Sequence, residues 1–505
     1  MEVRIMQRIR RILGGLLFGA ALVTLAGTPA AAQTFSSGST GAQGAFPPST
    51  PAPPGGTTGM TVNLNDGTVT YSPSGMAATL PNVPAGGFRD GVLNFTTINV
   101  ASGVTVWLTR NVANTPVTLL ATGNVTISGT IDVSGSSSGG FGRPGQGGPG
   151  GFDGGAGGDG ITVTVGGTGL GPGGGGGGSG YSGPGGGGGY GSGGGSGSAS
   201  CTSNCTNGAG GPSYGSALLR PMVGGSGGGG GSGYSGSGAG GGGGGGAGAI
   251  LIASSTSIAL TGNPAIRANG GNGSSSGNGY GGGGSGGAVR LIAPTITGNG
   301  SLYAQGASAS YQAGAGGSGR IRLEATTLSF TGSTYPLTVT SLPQPVFPGT
   351  GQPALAIASI GGTSTPANPV GSVLGAPDIM LPTGTQNPVA VVLSASNVPL
   401  GTTVQVSATP QSGAKTTATC ALLDGTQASS TCTASISISL AQTNILTASA
   451  TFPLVASAGS GPIYAGGEEV KWVRVAAALG GPSTVTYVTA SGQEVPATAL
   501  SSRMQ

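Results

Sequence analysis

The chain has 505 residues, only 6 % of them charged, with no histidine and a formal net charge of +4. Disorder usually pairs low hydrophobicity with high charge, whereas 36 % of this chain is apolar and its charges are few. Its 113 glycines follow no strict Gly-X-Y period, which excludes collagen; the length allows two or three domains.

Residues 1–32 read as a secretory signal. Arg4, Arg8, Arg10 and Arg11 form a basic start, residues 13–25 an apolar run, and Ala30-Ala31-Ala32 a cleavage site before Gln33. The apolar run is shorter than the ~20 residues of a membrane span, so no transmembrane segment is expected in the mature chain. Removing four Arg and one Glu leaves 12 basic and 11 acidic residues. The high isoelectric point therefore belongs largely to the leader. Nucleic-acid and membrane-surface partners need clustered Lys and Arg and are not expected.

Residues 33–60 read as a linker, because Pro47-Pro48 and Pro51-Ala52-Pro53-Pro54 among Ser, Thr and Gly favour extended chain. From Val62 to Tyr71, alternation around Asn65-Asp66-Gly67 predicts a hairpin. From residue 92 on, Leu93, Phe95, Ile98, Val100, Val104, Val106 and Leu108 are spaced mainly by two. Period two means strands with one buried face.

Short apolar phrases then recur. Val117-Thr118-Leu119 leads to Val125-Thr126-Ile127 and Ile131-Asp132-Val133; Ala249-Ile250-Leu251-Ile252 leads to Ile258-Ala259-Leu260 and Ile266-Arg267-Ala268. Ala288-Val289-Arg290-Leu291 and Arg320-Ile321-Arg322-Leu323 open two more. The predicted architecture is all-β: a right-handed parallel β-helix over residues 61–332, whose coils must stack to bury their apolar faces. Ile250, Ile252, Ile258, Leu260, Ile266, Val289, Leu291, Ile321 and Leu323 are expected inside. Asp132, Arg267, Arg290, Arg320, Arg322 and Glu324 are expected outside as solubilising charges.

Glycine interrupts this pattern: residues 135–319 hold 77 of the 113 glycines. Insertions at residues 136–248, 271–287 and 307–319 fall between coils, where solenoids place loops on one face. Two states are open to them. One is unpacked surface loop. The other is a bundle of polyglycine-type extended helices with three residues per turn, in which sideways hydrogen bonds offset glycine's large ordering cost. Six tyrosines lie in these tracts: Tyr181, Tyr190, Tyr214, Tyr234, Tyr280 and Tyr311. Aromatics on small-residue loops are favoured contact residues; packing back on the glycine strands is the alternative.

Residues 333–350 read as a second linker, with Pro343, Pro345 and Pro348. Alternating segments at residues 389–393, 403–407, 419–423, 433–438 and 445–450 predict an immunoglobulin-like β-sandwich over residues 351–480, with residues 481–505 as a tail. Cys420 and Cys432 flank the Asp424-Gly425 turn and are expected to cross-link that hairpin; Cys201 and Cys205 form a second pair.

Catalysis is poorly supplied. Without histidine, Ser-His-Asp and Cys-His sites are excluded, and two-carboxylate sugar chemistry has only Asp132 and Glu324 on the coils. The run Gly154-Gly155-Ala156-Gly157-Gly158-Asp159-Gly160-Ile161-Thr162 fits the calcium-binding nonapeptide. Asp159 would supply the carboxylate, although this is one copy where calcium rolls use tandem copies. No other cofactor is expected.

Residues 283–293, with Ala268-Asn269-Gly270-Gly271, resemble the glycine-rich coil repeats of exported bacterial surface proteins. The glycine tracts are similar to those of mycobacterial glycine-rich surface proteins and of glycine-sandwich phage adhesins. The resemblance spans roughly residues 92–332 and is one of repeat style, so no functional residue carries over. It implies a secreted or surface-displayed β-solenoid with adhesive or structural use. The expected function is non-catalytic: glycine-rich loops presented to a glycan or surface protein, with Tyr181, Tyr190, Tyr214, Tyr234 and Tyr280 as contacts. A β-helix polysaccharide lyase or hydrolase is the alternative.

Overall fold

A computed structural model describes residues 35–505 except 162–163, 199–204, 216, 218, 220–221, 235–237, 276–277, 309–310, 345, 347–352, 367–375, 421–422, 454–463, 466–467, 478–482 and 497–505. The leader of residues 1–32 and Cys201 thus lie outside the described residues. Among the described residues every regular element is a β-strand, and no helix is long and apolar enough to cross a membrane.

Three short strands recur in order along the first part of the chain. Val117–Ala121, Val125–Ile127 and Thr130–Asp132 form one set; Ala249–Ser254, Ser257–Leu260 and Ala265–Arg267 form the next. Each strand pairs in parallel with its counterparts. Ile252 lies opposite Leu119 and Leu291, Ile258 opposite Val125 and Ile296, and Ile266 opposite Ile131 and Leu302. Two largely parallel sheets result, one of ten strands and one of eight. All nine residues expected inside join one buried cluster with Leu93, Ile98, Val106 and Ile131. Each such aliphatic side chain contributes roughly 1.5–3 kcal/mol by leaving water. Gly129 turns the chain between strands, and only glycine fits there, since a Cβ would stand 2.2 Å from the Val104 carbonyl oxygen.

The ladder is longer at both ends than the sequence pattern indicates. The proline-rich start is no linker: Ala45–Phe46 pairs in parallel with Thr97–Val100, Gly59–Val62 pairs with Thr105–Leu108, and Phe46 is buried in the core. The predicted hairpin forms between Gly59–Val62 and Thr68–Ser72, with Gly67 at φ +72°. Nor do residues 333–350 break the ladder at once, for Ser333–Tyr335 pairs with Ser301–Tyr303 and Thr338–Ser341 with Arg320–Phe330. The prolines do not mark a boundary because they fall between short strands, and Ala45–Phe46, Gly59–Val62, Ser333–Tyr335 and Thr338–Ser341 contain none.

The outer face of the ladder is also partly covered, which the alternation did not foretell. Leu120, Leu251, Ala253 and Ile292 face away from the main core and pack with Phe35, Met222 and Val346. This two-sided burial explains why Ala249–Ser254 is buried at every position, as parallel strands covered on both faces are.

The C-terminal part is antiparallel, with a five-stranded and a seven-stranded sheet. Val391 and Leu393 of the first share one core with Val404, Val406 and Val475 of the second. Cys420 and Cys432 are disulfide-bonded, with Cα atoms 6.1 Å apart. Their strands, Thr416–Cys420 and Ser429–Ile436, belong to different sheets, so the bond ties the two sheets and does not close a hairpin. Strands Thr484–Thr489 and Glu494–Pro496 extend the larger sheet past residue 480, and part of the expected tail therefore belongs to this unit.

Candidate functional site

The three glycine insertions leave the ladder at one corner. Each begins after a strand of the column Thr130–Asp132, Ala265–Arg267 and Ser301–Tyr303, and each returns at Ala249–Ser254, Ala288–Gly298 or Arg320–Phe330. Their backbones bond sideways with a period of three. The N–H groups of Gly142, Gly145 and Gly148 donate to the carbonyls of Gly240, Gly243 and Gly246. Those of Gly241, Gly244 and Ala247 donate to Gly279, Gly282 and Ser285.

Residues 225–232 form the centre of this bundle. They exchange hydrogen bonds with six neighbouring segments, at residues 152–158, 167–170, 175–178, 183–186, 241–247 and 279–285. Successive residues face different neighbours, as a threefold screw requires. A Cβ on Gly228 would lie 2.2 Å from the Gly282 oxygen, one on Gly229 2.0 Å from the Gly176 oxygen, and one on Gly230 2.0 Å from the Ala156 oxygen. No side chain fits at these three positions. Ordering each residue costs about 1–2 kcal/mol of backbone entropy, and a backbone hydrogen bond returns roughly 0.5–1.5 kcal/mol net. Only a bundle in which nearly every peptide is bonded approaches balance. Of the two states the sequence left open, the hydrogen-bonded one is found.

The bond ladder also orients the bundle. Gly248, Gly287 and Gly319 adjoin the β-strands, while residues 141, 159–161, 181, 234, 280 and 311 lie at the opposite end of their segments. Two tyrosine pairs sit at that far end. Tyr181 and Tyr234 meet edge to face with ring centroids 4.9 Å apart, and Tyr280 stacks on Tyr311 at 5.0 Å. Tyr311 is 77 % exposed, Phe141 63 % and Tyr181 55 %. These rings offer apolar faces with a polar tip, the chemistry favoured at contact surfaces.

Tyr190 and Tyr214 differ from the other expected contacts. Tyr190 is 1 % exposed and packs with Leu219, Ala249 and Ala288 where the bundle meets the ladder. Its ring lies 4.9 Å from Tyr214, with the Arg320 guanidinium 5.8 Å above it. The Tyr214 hydroxyl donates to the Gly224 carbonyl at 2.6 Å and accepts from Ser226. Burial raises the pKa of both phenols. Tyr190 offers a partner no surface in this arrangement; the two rings join bundle to scaffold. Sequence spacing gave no way to separate them from the four far-end tyrosines.

The expectation of outward charges fails for Arg290, Arg322 and Glu324, all of which are buried. Arg290 Nε and Nη2 donate to the two Glu324 carboxylate oxygens at 2.8 and 3.1 Å. Arg322 Nε donates at 2.7 Å, and the Gln344 N–H donates at 2.8 Å. Burial alone would raise the Glu324 pKa, but the bonds and charges of Arg290 and then Arg322 outweigh it, and the net shift is downward. These charges share the outward-facing side of their strands, and the chain around residue 344 covers them. A second buried ion pair, Arg110 with Asp153, links the ladder to the bundle. Asp153 also accepts the Gly147 N–H at 2.8 Å.

The remaining candidates are dispersed. Asp132 and Arg267 stand opposite each other in register on the ladder's outer surface, between Trp107 and Tyr303; Glu324 lies in the other sheet. Asp159 caps a turn, accepting the Ile161 N–H at 2.8 Å. The carbonyls of Gly155 and Gly158, which calcium would need, accept N–H groups from Gly243 and Gly240. Among the described residues no three His, Cys, Asp or Glu side chains gather as a metal site. The calcium-like match thus coincides with polyglycine packing. Cys205 is disulfide-bonded. No known family model matches this chain, and neither the curated proteins nor the solved structures yielded a similar one.

Proposed function

We propose that this chain is an exported, non-catalytic surface protein whose polyglycine bundle presents its far end to a glycan or another surface protein. In this reading the stacked strands form a right-handed β-solenoid of the glycine-rich bacterial surface type. The C-terminal sheets form an immunoglobulin-like sandwich. The observation that carries the reading is the concentration of exposed rings, Tyr181, Tyr234, Tyr311 and Phe141, at the bundle end farthest from the ladder. A rigid scaffold holding a contact surface away from itself is how loops on scaffolds commonly work. The absence of histidine and the dispersal of carboxylates support a non-catalytic role. The test is binding of the intact chain to a glycan array and to cell surfaces, beside a variant with Tyr181, Tyr234, Tyr280 and Tyr311 changed to Ala. The reading requires strong loss in the variant; equal binding would refute it.

One observation favours a polysaccharide-active alternative. Trp107, Asp132, Arg267, Tyr303 and Tyr335 form an outward column in register on one sheet, and aromatic columns beside a carboxylate suit a sugar chain. Release of reducing sugars that disappears in Asp132→Asn would establish this alternative in place of the first.

A further inference from the structure

The two ends of the parallel ladder are finished differently. At the first level Phe46 is buried, and the hairpin and the chain after it add Leu64, Tyr71, Leu80 and Phe88 to the same core. At the last level the same core column ends in Leu328. Its counterparts in register, Ile296, Ile258, Val125 and Ile98, are at most 2 % exposed, while Leu328 is 39 % exposed. Among the described residues, Thr338–Ser341 pairs with residues 321–324 only, so no strand bonds to the outer edge of residues 326–330. Tyr335, Leu337, Val339 and Leu342 are exposed around it.

Proteins normally guard such an edge with Lys, bulges or a covering segment, and stacked-repeat folds need a polar terminal cap. This end lacks charge: residues 325–350 contain no Asp, Glu, Lys or Arg. We propose that two copies of this chain pair end to end through this edge, with residues 326–330 antiparallel across a twofold axis at Leu328. In that register Thr327 faces Ser329 and Thr326 faces Phe330, so no like charges meet and both open cores close. A twofold contact of this kind uses the same edge in both copies, so pairing through it stops at a closed dimer and does not run on into a fibre.

Opposed residues in an antiparallel pair have Cα atoms about 4.5–5.5 Å apart, within the disulfide range of roughly 4.4–6.8 Å. The intact chain should run as a dimer in light scattering, and Leu328→Lys should shift it to monomer with far-ultraviolet circular dichroism unchanged. Leu328→Cys should form a linked dimer on mild oxidation, whereas Ser74→Cys in the capping hairpin should not. The described cysteines are all bonded, so the new thiol is the one read. A parent that is monomeric at every concentration would overturn the proposal. So would a Leu328→Lys chain that stays dimeric, or equal cross-linking at both positions. Should the lysine variant fail to fold, the cross-linking comparison decides.

Discussion

The strand ladder and the glycine bundle reach order by opposite means. In the ladder, side chains such as Ile252, Ile258 and Ile266 fill the interior, and stability comes mainly from apolar area removed from water. Along the bundle's central segment Gly228, Gly229 and Gly230 each lie against a different neighbour's carbonyl, small buried side chains such as Ser226 and Ser285 bond the adjoining segments, and cohesion comes mainly from the peptides. The ladder therefore tolerates exchange among apolar residues of similar size. The bundle leaves no room for a Cβ at Gly228, Gly229 or Gly230.

The largest expected effect lies in the ladder. Ile252→Asp would bury an unpaired charge and should cost more than about 4 kcal/mol, read as loss of the cooperative thermal transition. A small loss would mean that the column is not a core. Glu324→Gln should cost about 3–5 kcal/mol, since it leaves Arg290 and Arg322 buried without their counter-charge. The folded Glu324 pKa is lowered. Its contribution is therefore full above the unfolded carboxylate value of about 4.3 and fades as pH falls through the folded value. Melting curves should show the gap between parent and variant closing below about pH 4; a constant gap would contradict the ion cluster.

The junction and the bundle should respond less. Tyr190→Ala removes a buried ring between bundle and ladder and should cost about 3 kcal/mol. Gly229→Ala should cost about 1–3 kcal/mol by overpacking, while Gly55→Ala, with nothing within 4 Å of its added Cβ, should stay within about 0.5 kcal/mol. Chemical denaturation measures all three, and equal values for the two glycines would break the contrast drawn above. Smallest of all, Tyr181→Ala with Tyr234→Ala should leave stability within about 0.5 kcal/mol while weakening surface binding.

The sequence made the ladder's interior legible because period two with Val, Ile and Leu has one physical solution for short strands. It did not reveal Arg290, Arg322 and Glu324 as buried. Alternation says which side of a strand faces the core, and it is silent about what later covers the other side. Gln344 and Val346 cover it here. The bundle was legible only as one of two options, since glycine offers no pattern of side chains to read. Its threefold period shows in the hydrogen bonds alone. The far-end tyrosines were found by composition, but Tyr190 and Tyr181 look alike in sequence, each preceded by Gly and followed by Gly or Ser. Depth along a segment separates them.

Amide exchange tests most directly whether the bundle is held by its own backbone. With glycine and isoleucine labelled by nitrogen-15, hydrogen exchange can be followed for Gly228, Gly229, Gly230 and Gly244 beside the ladder amides of Ile250 and Ile252. Every one of those glycine N–H groups donates to a carbonyl of another segment. Protection within about tenfold of the ladder amides is the predicted result. Exchange at the free-peptide rate, with the ladder still protected, would show that the glycine tracts are loops and would contradict the account.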